Sequence, residues 1–418
     1  MPKTFLKSEI SKRIAFTLVV IALFRFLAHI PVPGVNLSVL REFLDKNQIL
    51  GMFDIFSGGA FRNFSIVTLG VGPYINAQIV FQLLTMVVPS LEELSKEGAY
   101  GREKLNLYTK LLTVPLSLLQ AYGVYFLLMR QKIITSTSPL AVIVLLTTLV
   151  GGTMLLTWIG DLVTEHGLGN GISVLIFTGI VSRLPSGVMS FLLNLYLGHW
   201  FLTILFLVLS LIVVLGVVLV NEGTRNVAIE YGRRGANSVK VTNYLPIKIN
   251  QAGVIPIIFA VSLMSVPALL GGPLQASSHE FLSALGTFLI THFSRDSFLY
   301  AFSYFLLVVA FTFFYTFIQF DPDKIAEDLR KRGGFIPGIR PGKSTARYLK
   351  GIVLRLTFWG ALFLGLIAIL PFIIRVVLGI QGLSVGGTSL LIVVSVVLET
   401  IRQLDSLKSS HDYSSYLR

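Results

Sequence analysis

The chain has 418 residues, 54% of them hydrophobic and only 13% charged, with a formal net charge of +13 and no cysteine. An ordinary soluble chain is about 25% charged, so charge is too sparse here to cover a water-facing globule, and the same figures exclude disorder, a collagen-like rod and a disulfide scaffold. A multipass helical membrane protein remains, and the lack of cysteine removes thiol catalysis and cysteine-ligated metals.

A helix needs about 20 mostly apolar residues to cross the hydrocarbon. Ten such spans are predicted, at 14–31, 66–88, 109–129, 139–161, 170–190, 199–220, 252–271, 298–319, 353–378 and 387–404. The first has the basic start and apolar middle of a signal peptide. Arg25 interrupts it, however, and no small-residue cleavage site precedes Pro31 and Pro33, so it reads as a retained helix. The fifth is cut short by Arg183 and Pro185. An even number of spans puts both ends on one side. Of the 34 Lys and Arg, 24 lie in the N-terminal tail, the 89–110, 221–249 and 320–350 stretches and the C-terminal tail, against eight in the opposite loops. Positive charge stays inside, so both termini are expected in the cytoplasm of a multipass protein of the cytoplasmic membrane.

No Asp, Glu or His falls near the middle of any span; Asp161, Arg183, Arg355 and Glu399 sit at span ends, and Arg25 alone lies well inside one. Ion-coupled transporters keep ionisable groups at depth, so this pattern argues against one. The six histidines are isolated along the chain, which disfavours zinc. Two catalytic look-alikes fail. Gly382 to Gly386 spells G-x-S-x-G but lacks the preceding strand of a nucleophile elbow. Gly342-Lys343-Ser344 resembles the end of a phosphate loop, but its first glycine would fall on Pro337. No enzyme activity and no cofactor are expected, and any work is supplied by a partner.

The spans contain an internal rhyme. Gly70-Val71-Gly72-Pro73 in the second matches Gly253-Val254-Ile255-Pro256 in the seventh, and Gly171 to Ile176 in the fifth matches Gly387 to Ile392 in the tenth as G-x-S-x-L-I. Two five-helix halves with opposite topology follow, with a functional site where they meet. Broken helices are tolerated at depth only inside protein or beside a water-filled cavity. Ile75, Ile176, Ile258 and Ile392 stand at equivalent places and could form an apolar constriction that blocks ions by dewetting.

Several motifs together resemble the SecY family of protein-translocation channels. They are Thr164 to Ser173 with Phe177 and Gly179 to Val181, Phe56 to Ala60, Pro73 to Ile75, Gly338 to Gly342, and Gly386 to Leu391. The resemblance runs from about residue 14 to 407. It implies an all-α membrane protein with ten transmembrane helices in two inverted halves, 1–190 and 191–418, around a central pore. It implies a pore ring of Val71, Ile75, Ile176, Ile180, Ile258 and Ile392, where the family favours isoleucine and Val71 is a smaller member. It also implies a plug helix at about 52–64 containing Phe53, Phe56, Gly58, Gly59, Phe61 and Phe64. Gln82 and Asn250 match a lateral gate that releases signal sequences and other hydrophobic segments into membrane lipids. The basic loops 221–249 and 320–350, with Arg233, Arg234, Arg340 and Lys343, match the docking surface for the SecA ATPase or the ribosome. SecE-type and SecG-type membrane subunits are the implied partners, and unfolded polypeptides the cargo. Two other classes stay open: a secondary transporter, which shares inverted repeats and broken helices but needs a polar midplane site that the spans do not show, and a lipid flippase, which needs a polar groove for headgroups.

Overall fold

A computed structural model describes residues 2–46, 57–134, 138–185, 187–189, 200–231, 242–293, 297–378 and 387–416. Every one of the ten expected spans holds a helix. In chain order these are α1 (Pro2–Leu27), then a short α2 (Leu37–Lys46), α3 (Gly72–Val87), α4 (Pro89–Lys96), α5 (Ala99–Arg130), α6 (Pro139–His166), α7 (Gly171–Val181) and α8 (Trp200–Glu222). Strands β1 (Thr224–Tyr231) and β2 (Thr242–Lys248) follow, then α9 (Ile255–Gln275), α10 (Glu280–His292), α11 (Phe298–Gln319), α12 (Pro322–Lys331), β3 (Gly334–Phe335), α13 (Lys343–Leu378) and α14 (Gly387–Tyr416). Among the described residues five helices are long and apolar enough to cross a membrane, or six if the bent pair α3–α4 is one span.

Local chemistry sets the helix ends. The expected span 66–88 begins with turns, and its helix starts only at Gly72, with Pro73 in the first turn where its missing N–H costs nothing. It stops at Val88, which is extended because Pro89 follows, and the chain bends by 102° into α4. The span at 170–190 is shorter than expected. Its helix α7 has 11 residues and ends before Arg183, so it rises only about 16 Å. By contrast α5 runs for 32 residues straight through Pro115, about 48 Å, and carries its polar first turns beyond the apolar stretch.

The helical contacts cluster into two units. One is Met1–Trp200 with Val261–Ala301 and Val396–Arg418; the other is Phe201–Ala260 with Phe302–Ser395. In the first, α6 is built for close approach. A side chain on Gly152 would run into the carbonyl of Ile66, and one on Gly171 into the carbonyl of Gly160. Small residues let backbones touch, which is how helices associate where lipid offers no hydrophobic drive. An apolar cluster of Val32, Leu40, Phe61, Phe64, Leu128 and Leu149 joins α2, the 57–71 turns, α5 and α6.

The second unit contains a small sheet that the helix-period reading of the sequence does not reveal. β1 pairs antiparallel with β2, Val227 opposite Leu245, and with β3, Glu230 opposite Phe335, in the order β2-β1-β3. Val227 and Ile247 pack with Phe320, Ile336, Leu349, Ile352 and Val353. The two basic stretches 221–249 and 320–350 therefore share one apolar core. The alternation is short, Val227 and Ile229 buried on one face with Asn226 and Ala228 on the other, and it is easily lost among longer apolar runs.

Candidate functional site

Both G-V-x-P sequences fold alike. Gly70 (φ +60°) and Gly253 (φ +65°) take the left-handed conformation three residues before a proline. Helical bonding then begins at once: the Ile75 N–H donates to the Val71 carbonyl at 3.1 Å, and the Ile258 N–H to the Val254 carbonyl at 3.2 Å. Only glycine adopts that turn freely, and proline is at home in a first helical turn. Val71 and Ile75 thus lie one turn apart on the same face, as do Ile176 and Ile180 on α7. Val71, Ile75, Ile176, Ile180, Ile258 and Ile392 are all buried, between 0 and 6% exposed.

The start of α7 is fixed by a loop whose peptide groups are satisfied one by one. The Arg13 guanidinium donates to the Gly167 carbonyl at 3.3 Å, and the Leu168 N–H donates to the Thr17 hydroxyl at 3.1 Å. The Gly169 N–H donates to the Gln403 side chain, and the Gly171 N–H to the Thr164 hydroxyl at 2.9 Å. Asn170 caps α7 by accepting from the Ser173 N–H at 3.2 Å. Residues 164–173 are therefore held from both α1 and α14, and they set where Ile176 and Ile180 stand.

In the second unit Asn250 is buried and fully engaged. Its amide donates to Asn221 Oδ1 at 2.8 Å and to the Gly253 carbonyl at 3.1 Å, and its oxygen accepts from the Gly253 N–H at 3.1 Å. Asn221 in turn donates to the Ser395 hydroxyl at 2.7 Å. This relay ties the end of α8 to the turn before α9 and to α14. Gln82, the other expected amide, is half-buried, and its Oε1 is buried without a hydrogen-bond partner among the described residues. A polar contact the sequence reading missed joins α3 to α9: the Ser262 hydroxyl donates to Asn76 Oδ1 at 2.7 Å. Its only trace in the sequence is position, Asn76 beside Ile75 and Ser262 one turn after Ile258.

Of the expected plug, Phe53 and Phe56 lie outside the described residues. The described part, Ser57 to Phe64, is a run of turns rather than a helix, with Gly58 (φ +68°), Gly59 (φ +84°) and Phe64 (φ +41°) left-handed. Phe61 and Phe64 are buried, and the Val32 N–H donates to the Phe64 carbonyl at 2.8 Å. Arg25 falls in the last turn of α1, where it donates to the Gly58 carbonyl at 2.6 Å.

Among the expected docking residues, Arg233 and Arg234 lie outside the described residues. Arg340 and Lys343 are exposed, Arg340 between the left-handed glycines Gly338 and Gly342 and Lys343 at the first position of α13, and the Arg340 carbonyl accepts from the Thr345 hydroxyl at 3.0 Å. Asp321 caps α12. One ion pair sits at an end of the helices, Lys110 on α5 with Asp161 on α6 at 2.5 Å. Among the described residues no three His, Asp or Glu gather where they could hold a metal.

Known proteins share this arrangement. A family model for SecY matches residues 65–401. The protein translocase subunit SecY of Thermus thermophilus is 41% identical over 98% of this chain and 95% of its own length. Two solved structures share the fold. One is the SecY channel from work on how its plug domain stabilises the closed state and maintains a membrane seal (TM-score 0.70, 22% identity, covering 96% of this chain and 93% of that one). The other is Sec61 in the canine ribosome–channel complex from the endoplasmic reticulum (TM-score 0.63, 20% identity, covering 96% and 93%).

Proposed function

The chain belongs to the SecY family of protein-translocation channels, and we propose that it passes unfolded secretory polypeptides across the cytoplasmic membrane and releases hydrophobic segments sideways into the bilayer. The two inverted halves, 1–190 and 191–418, open around a constriction lined by Val71, Ile75, Ile176, Ile180, Ile258 and Ile392. A ring of branched apolar side chains stays dry to ions when closed and yields around a chain. The observation that carries this reading is the burial of all six side chains in a protein that exposes many other aliphatics, among them Leu211, Ile212 and Leu219.

The channel does no chemistry of its own. Its drive comes from a ribosome, which the solved Sec61 complex binds, or from a SecA-type ATPase. Arg340 on the turn 338–342 and Lys343 at the start of α13, with the neighbouring 221–249 stretch, offer the exposed positive charge that ribosomal RNA phosphates or an acidic motor surface would take. SecE-type and SecG-type subunits complete the assembly, and both termini face the cytoplasm. Gln82 on α3 lines the lateral exit, with Asn250 anchoring the start of α9 on the other side.

Exchange of Ile75, Ile176, Ile258 and Ile392 for asparagine in the assembled channel is expected to raise resting ion conductance in planar bilayers many-fold while polypeptide transport persists. Unchanged conductance with transport lost would overturn the ring and favour a solute transporter.

A further inference from the structure

Resting on the reading of about 52–64 as the plug, of which 57–64 is described, we propose that Arg25 is its latch and that the Arg25–Gly58 contact sets how apolar a signal must be before the channel opens. The two ends of the described segment are held differently. At its C-terminal end Phe61 and Phe64 are buried in the cluster with Leu40, Leu128 and Leu149, and the Phe64 carbonyl is bonded to the Val32 N–H. That end is an anchor. At the other end the Gly58 carbonyl is held by side chains from α1 and from just past α7. The Arg25 guanidinium donates to it at 2.6 Å, and the Ser182 hydroxyl lies 3.5 Å from the same oxygen.

Gly58 also packs backbone to backbone. A side-chain carbon built on it would lie 2.9 Å from Gly179 Cα and 3.1 Å from the Phe24 ring. Gly179 is the residue before Ile180, so the latch point sits directly on the ring-bearing helix α7. With φ at +68°, Gly58 suits no other residue well. A hydrogen bond from a charged donor is among the stronger ones a protein makes. The partner of Arg25 is a carbonyl and not a carboxylate, so release exchanges one neutral acceptor for another, such as water, rather than separating opposite charges. That chemistry suits a reversible catch.

The test uses the complete channel complex in proteoliposomes. Two quantities are read: resting ion conductance, and the ratio of transport of a precursor with a weakened, less apolar signal to that of the intact precursor. Arg25→Leu is expected to raise the ratio about ten-fold and to raise conductance. Arg25→Lys, whose shorter cation can still approach the carbonyl, restores most of the discrimination. Gly58→Ala, with Arg25 untouched, gives the Arg25→Leu phenotype because its methyl is driven against Gly179, and the double variant goes no further than either single one. A ratio for Arg25→Leu within about two-fold of the unaltered channel, or an equal loss for both precursors, overturns the latch. If Arg25→Leu does not accumulate in membranes, Gly58→Ala decides alone: normal discrimination there overturns the proposal. An unaltered complex that moves no precursor at all would instead sink the channel reading on which the latch rests.

Discussion

α7 and α8 follow one another in the chain and are both almost wholly apolar, yet they end in opposite surroundings. On α7 eight of 11 residues are buried, including Gly171, Ser173, Leu175, Ile176, Thr178 and Gly179. On α8 the side chains of Phe201, Ile204, Leu207, Leu211, Ile212, Leu215 and Leu219 are exposed, and among the described residues burial is confined to one narrow line, Val213, Val217 and Asn221. Hydropathy cannot separate them, because lipid solvates leucine as well as another helix does. What separates them is how near a neighbour's backbone can come. α7 meets α6 at Gly171 against Gly160, and the 57–64 segment at Gly179 against Gly58. The glycine of α8, Gly216, only faces the ring of Phe363.

The contrast is broken most severely at those glycines. Gly171→Ala should cost about 3 kcal/mol or more, because its methyl meets a backbone carbonyl that cannot turn aside. Gly216→Ala, whose methyl would sit 3.2 Å from a movable Phe363 ring, should cost less than about 1 kcal/mol. Thermal unfolding of the two variants in detergent checks the ranking, and equal losses would dissolve the distinction between the helices.

A smaller effect separates the aliphatic side chains. Ile176→Ala leaves a cavity in packed protein and is expected to destabilise by about 2–4 kcal/mol. Leu211→Ala trims a side chain that lipid can replace and should stay within about 0.5 kcal/mol. Denaturation midpoints of the paired variants measure this difference.

The smallest of the three tests α8 where it does behave like α7. Asn221→Ala removes the middle of the Asn250–Asn221–Ser395 relay. A buried amide left unpaired costs about 1–3 kcal/mol, but polar contacts between membrane helices average about 0.6 kcal/mol because partners are found elsewhere. A loss near 1 kcal/mol is expected, and Asn221→Asp, which can still accept from Asn250, should recover part of it. A loss as large as that of Ile176→Ala would mean that the relay, not packing, holds this unit together.

The local geometry at two helix starts was legible in the sequence. The glycine–proline punctuation of Gly70 to Pro73 and Gly253 to Pro256 marked two helix starts, since few residues other than glycine take a left-handed turn and proline favours a first helical turn. Ile75 and Ile258 were singled out by their spacing after those prolines, Ile176 and Ile392 by the second repeat, and Val71 and Ile180 only by the family resemblance. Other elements were not legible. Arg25 looked like a charge deep in a span, whereas α1 ends at Leu27 and leaves it in the last turn beside Gly58. Asn250 was expected at a gate, and its hydrogen bonds run to Asn221 and Gly253. In the sheet β3 pairs with β1 across a long stretch of sequence, Glu230 opposite Phe335, a pairing no local pattern encodes.

The sequence by itself determined the class of protein, where its apolar helices lie and the family to which it belongs. These are properties of composition and of short-range periodicity, and a chain in lipid has few other ways to satisfy its backbone. Only the tertiary structure decided which apolar faces are buried, that Arg25 holds the carbonyl of Gly58, and that Asn221 joins Asn250 to Ser395. Those choices depend on backbone approach and on pairing between distant donors and acceptors, and neither is written in the hydropathy of any single helix.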